Sequence, residues 1–60
     1  MSTVYNPEAD LIAEIERLEL EAREVRRKIE HVTGEETKRV LNRQLAELQD
    51  QVAFLRQKLP

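Results

Sequence analysis

The sequence predicts an all-α protein: an antiparallel helical hairpin, coiled-coil-like along its seam, that dimerises into a four-helix bundle. Three observations carry this expectation. Apolar residues recur at alternating gaps of four and three through two long stretches, the spacing of a heptad seam on one helix face. The second stretch is out of phase with the first, and the chain's one glycine lies between them. With 60 residues, 40% of them apolar and 37% charged, and no cysteine, the chain is too short to enclose a large core and has no disulfide to staple a small one.

The elements follow in order. Residues 1–6 show no period and carry β-branched Thr3 and Val4, which reads as a flexible N-terminal arm. Asn6-Pro7-Glu8 opens the first helix. An asparagine at the cap accepts from amides of the first turn, and proline at the first helical position lacks an amide that would have no partner anyway. Glu8 and Asp10 place negative charge at the positive end of the helix dipole. The helix is expected over residues 7–31, with its seam at Leu11, Ile15, Leu18, Ala22, Val25, Ile29 and Val32. With Leu11 taken as heptad position d, Ile15, Ala22 and Ile29 fall at a.

Continuing that seam would call for an apolar residue at 39, where Arg39 stands; the stripe resumes at Leu41 and runs through Leu45, Leu48, Val52, Leu55 and Leu59. Two extra residues swing a helical stripe by about 200°, which is neither a stutter nor a stammer. The chain must therefore break. Thr33 with Glu36 three residues later matches a capping box around Gly34, so a turn is expected over 32–34 and a second helix over 35–58. A connection this short sets the helices antiparallel.

Charge patterning agrees with that direction. Residues 8–24 hold seven acids against two bases, while Arg26, Arg27 and Lys28 follow in a row. Folding back is expected to set Arg56 and Lys58 beside the acidic start of the first helix, and Glu35 and Glu36 near Arg26 to Lys28. Glu19–Arg23, Glu24–Lys28 and Glu35–Arg39 have the spacing of pairs one turn apart. In the seam, Leu45 and Leu48 are expected to face Ala22 and Leu18, with Lys38 at an a position opposite Ile29. Neutral Asn42, Gln44, Gln49 and Gln51 flank the second seam. Neutral flanks lose their water more cheaply than charged ones, so the second helix is expected to be the more enclosed. Two helices in one layer shield each seam on one side only, hence the expected homodimer.

Composition excludes several functions. No apolar stretch approaches the roughly 20 residues of a membrane span, and none reads as a signal peptide. The expected location is cytoplasmic, with no membrane partner. One histidine, His31, and no cysteine leave no zinc site. Every seam position but Lys38 is apolar, so Glu14, Glu21 and Glu35 do not build a di-metal centre. His31 reads as a solvated helix-end residue. No nucleophile set and no phosphate loop is present; neither enzyme activity nor a cofactor or metal is expected.

What remains is a small non-catalytic module for interaction and oligomerisation, acting through protein–protein contacts with itself and with another protein. The candidate partner surface is Ile12, Leu20, Val40 and Phe54, apolar residues outside the seam. The alternative is a small RNA-binding regulator whose basic patch near the turn comprises Arg26, Arg27, Lys28, Arg39 and Arg43. A net charge of −2 and the lack of aromatic residues in that region make nucleic acid the weaker partner class. In outline the dimeric hairpin resembles the plasmid RNA-regulating helical bundles, in architecture only. The stretch Asn42-Arg43-Gln44-Leu45-Ala46 is similar in place to the Ser-Gln-Glu-Leu-Asp motif of the aspartyl-phosphate phosphatases of sporulation control. Leu45 alone matches, and Ala46 stands where the motif ends on an acid, so the resemblance implies a shape and no activity.

Overall fold

A computed structural model of the chain describes residues 6–60 and consists of two helices, α1 (Pro7–His31) and α2 (Glu35–Arg56), packed against each other. The arm expected over residues 1–6 lies outside the described residues, apart from Asn6. Helix α1 begins where its capping chemistry sets it. Asn6 is extended, and its Oδ1 accepts from the amides of Glu8 at 3.1 Å and Ala9 at 3.3 Å. At the other end Val32 turns extended, while its own amide still donates to the Lys28 carbonyl at 3.0 Å.

The capping box does not form. The residue that caps α2 is Gly34, one later than Thr33, and no side chain bonds the orphan amides. That shift puts Thr37, not Glu36, at the third helical position, out of step with the reciprocal pairing a capping box needs. Gly34 sits at φ −81° and ψ 133°, an extended conformation open to any residue. The dipole is met instead by the charges of Glu35 and Glu36 in the first turn. Helix α2 ends at Arg56, two residues before the expected limit. Beyond it, the amides of Lys58 and Leu59 reach back three residues, to Leu55 at 3.0 Å and Arg56 at 3.1 Å. Leu59 precedes Pro60, whose ring disfavours helical backbone in the residue before it.

The buried core is Ile15, Leu18, Ala22 and Val25 from α1 with Leu48 and Val52 from α2, each 4–8% exposed. Ile29, Leu41, Leu45, Leu55 and Leu59 pack half-buried against it. All of these are seam positions. The deeper seam is that of α1, contrary to the expectation that α2 would be the more enclosed. Leu41 and Leu59 of α2 lie toward the two ends of the pair, where α1 covers less of them, and in a single layer the outer edges of Leu45 and Leu55 stay in water.

The register between the helices also departs from expectation. Ala22 shares a groove with Val52, and Leu18 shares one with Leu55. Leu45 and Leu48 were expected in those places, so α2 has slid by one heptad. Counting along the antiparallel pair then sets Val25 across from Leu48 and Ile29 across from Leu45. Lys38 lies beside the connecting residues, half-buried, rather than opposite Ile29. The cause is the conformation of the connection. Val32 and Gly34 are both extended, and a connection of three residues can span up to about 10 Å. The chain climbs past the end of α1 before α2 begins. A heptad seam repeats every seven residues, so the slide costs it little apolar matching.

The result is a rod one helix thick. Its Cα extents are 54 × 22 × 11 Å and its radius of gyration is 15.2 Å, against about 10 Å for a compact domain of this length.

Candidate interaction surfaces

The seam divides the hairpin into two broad faces. On the first, flanking the a positions, lies an interhelical groove of about 300 Å³. Its floor is Ala22, Val52 and Ala53; its rim is Glu19, Arg23, Arg26, Gln49 and Arg56. Small side chains at the floor leave the hollow, because neither Ala22 nor Ala53 can fill the space between the helix axes. Across the rim, Arg56 Nη2 donates to Glu19 Oε2 at 2.6 Å. Arg56 was expected beside the acidic start of α1; the one-heptad slide carries it to Glu19 instead.

The second face, flanking the d positions, carries a shallower hollow lined by Glu14, Arg17, Leu18, Gln51, Phe54 and Leu55. Here Arg17 holds two carboxylates of its own helix. It donates from Nε and Nη2 to Glu14, the former at 3.3 Å, and from Nη1 to Glu21 Oε1 at 2.6 Å. The hydrogen bonds from Arg17, more than its charge, hold the Glu14 carboxyl below the ordinary carboxylate range. Those to Glu14 push the Arg17 guanidinium up. Nearby, the Lys58 ammonium stands 4.7 Å from the centre of the exposed Phe54 ring, a cation–π contact.

Among the described residues the ion pairs are Arg17 with Glu14, Arg17 with Glu21, and Arg56 with Glu19. The helical pairs expected at Glu19–Arg23, Glu24–Lys28 and Glu35–Arg39 are not among them, and Glu35 and Glu36 form none with Arg26 to Lys28. Exposed helical pairs are each worth only about 0.2–0.5 kcal/mol, so a better-placed acceptor decides. Glu19 bonds Arg56 rather than Arg23.

Ile12, Leu20, Val40 and Phe54 are 45–65% exposed, but they do not form one patch. Phe54 lies on the second face. Leu20 is on the outer side of α1 among Arg17, Glu21, Arg23, Glu24 and Arg27, and Val40 is near the turn with Thr37, Arg39 and Arg43. Ile12 stands near the start of α1. The basic residues are likewise dispersed. Arg39 and Arg43 share a hollow on α2, Arg26 lines the interhelical groove, and Arg27 lies beside Leu20; Lys28 is exposed. No groove joins the two sets. His31 is exposed at the end of α1. No group of three or more His, Cys, Asp or Glu side chains among the described residues is placed to hold a metal, and no described helix is long and apolar enough to cross a membrane.

Sequence reasoning did not single out the interhelical groove. Its signal was present in Ala22 within the seam and Ala53 immediately after Val52, small residues that line up only once the register is known. No known protein family, curated protein or solved structure matches the chain.

Proposed function

We propose that the chain is a non-catalytic oligomerisation and interaction module, whose hairpin pairs with a second copy to close a four-helix bundle and presents its outer helix faces to a protein partner. The observation that carries this reading is surface. The chain exposes 5147 Å², where a compact monomer of 7.1 kDa exposes about 4,100 Å². The excess is roughly 1,000 Å², close to the ~800 Å² that each partner commonly buries in a stable interface. A second layer laid on one face of the hairpin would remove much of it by covering the outer edges of the half-buried seam side chains on that side. Sedimentation equilibrium at micromolar concentration tests the reading: a mass of about 14 kDa or more, at least twice the 7.1 kDa chain, is expected. A helical species that stays at the mass of one chain would overturn it.

A further inference from the structure

Resting on that oligomerisation reading, we infer that the second copy docks on the first face, the one bearing the Ala22–Val52 groove. A two-fold axis runs across that groove and sets α1 antiparallel to α1 of its copy. On α1, Glu16, Glu19, Arg23 and Arg26 follow at three, four and three residues, a single stripe along one side of the helix. Glu19, Arg23 and Arg26 line the groove, and Glu16 adjoins Glu19 and Arg23. The stripe is acidic toward the N-terminus and basic toward the C-terminus. Turned end over end about the level of residue 21, it becomes its own complement: Glu16 meets Arg26 of the copy, and Glu19 meets Arg23. A two-fold interface demands this reciprocity, in which each residue finds in the copy the partner it is itself offered.

The groove coincides with that centre. Its floor residues Ala22 and Val52 lie at the level of residue 21, so the two hairpins approach most closely where the side chains are smallest. Arg23 and Arg26 make no ion pair within the hairpin among the described residues, which leaves both for the copy. On α2, the same face carries neutral Asn42, Ala46, Gln49 and Ala53, and the one charge near the axis, Arg56 on the groove rim, is paired with Glu19. The second face lacks this complementarity. There the same axis would set Glu21 against Glu21 of the copy, whereas on the first face Glu19 accepts from Arg56 through Oε2 and keeps Oε1 for Arg23 of the copy. Exposed ion pairs add little affinity. Their effect here is to choose the face, direction and register, while burial of the groove floor holds the copies together.

Two charge-reversed full-length chains test this. Arg23→Glu with Arg26→Glu makes the stripe wholly acidic; Glu16→Arg with Glu19→Arg makes it wholly basic. Each alone is expected to dimerise roughly tenfold more weakly or worse, and an equimolar mixture to regain wild-type association as a heterodimer, with helicity followed by circular dichroism. If wild type dimerises but either variant alone matches it, or the mixture fails to recover, the face is wrong and oligomerisation stands. If wild type is monomeric throughout, the oligomerisation reading itself falls. Because Glu19→Arg also removes the Arg56 contact, a second measurement uses single cysteines in this cysteine-free chain. Ala53→Cys, beside the axis, is expected to oxidise to a disulfide-linked dimer, and Phe54→Cys on the other face is not; the reverse pattern would overturn the proposal.

Discussion

Arg17 shows how one side chain can absorb charge that would otherwise stand unmatched on a helix face. Glu14 and Glu21 both point at it, and its hydrogen bonds hold the Glu14 carboxyl below its ordinary range. A carboxyl whose folded value is depressed stabilises the fold above its unfolded value, and that contribution is lost as pH falls through the folded one. Arg17→Gln should therefore raise the Glu14 titration midpoint toward the ordinary carboxylate range, as followed by side-chain carbonyl NMR shifts. An unchanged midpoint would mean that the guanidinium is not what holds it. Gly34 offers a second test at this scale. A Cβ built there meets Thr37 Oγ1 at 3.5 Å and Thr37 Cβ at 3.9 Å, ordinary contact distances, and the backbone is in an extended region. Gly34→Ser should thus supply the missing cap and reduce the freedom of the unfolded chain, raising stability by about 0.5–1 kcal/mol. A lower melting temperature in the serine variant would show that the connection needs glycine for a reason its backbone angles do not reveal.

At the scale of the helices, the register is the feature most open to direct measurement. Ala22 and Ala53 line one groove, whereas the register read from the sequence would have set Ala22 nearer Ala46. The double variant Ala22→Cys with Ala53→Cys should close an intramolecular disulfide on mild oxidation, and Ala22→Cys with Ala46→Cys should not. Closure of the second pair alone would restore the unslid hairpin. Packing depth gives a further contrast. Leu48→Ala, at a buried position, should cost about 2–5 kcal/mol, while Leu20→Ala on the exposed outer side should fall within about 0.5 kcal/mol of wild type. The seam, the Asn6 cap and the break at residues 32–34 were legible because periodicity and capping are local and repeat along the chain. The slide was not, since Leu45 and Val52 offer α1 nearly the same apolar surface and the choice rests on the extended angles of Val32 and Gly34. The groove inherits that ambiguity: Ala22 and Ala53 become neighbours only in the slid register.

For the molecule as a whole, the question is whether a layer one helix thick can be a stable fold by itself. Among the described residues, six side chains fall below a tenth exposed and none is fully buried, so most of the seam keeps one edge in water. Pairing with a copy changes the thermodynamics in a measurable way, because unfolding then releases two chains and the melting midpoint depends on concentration. Each tenfold rise in chain concentration favours the folded dimer by about 1.4 kcal/mol. Two 60-residue chains unfold with an entropy of about 2.1 cal/mol/K per residue, so the midpoint should climb by roughly 5 °C for every tenfold. Thermal melts across a hundredfold range of concentration, followed by far-ultraviolet circular dichroism, resolve a shift of that size. The same series in Leu48→Ala should run parallel at lower temperature. A midpoint that stays fixed while the transition remains sharp would mean that six buried side chains suffice for a lone hairpin, and that its excess surface serves something other than a second copy.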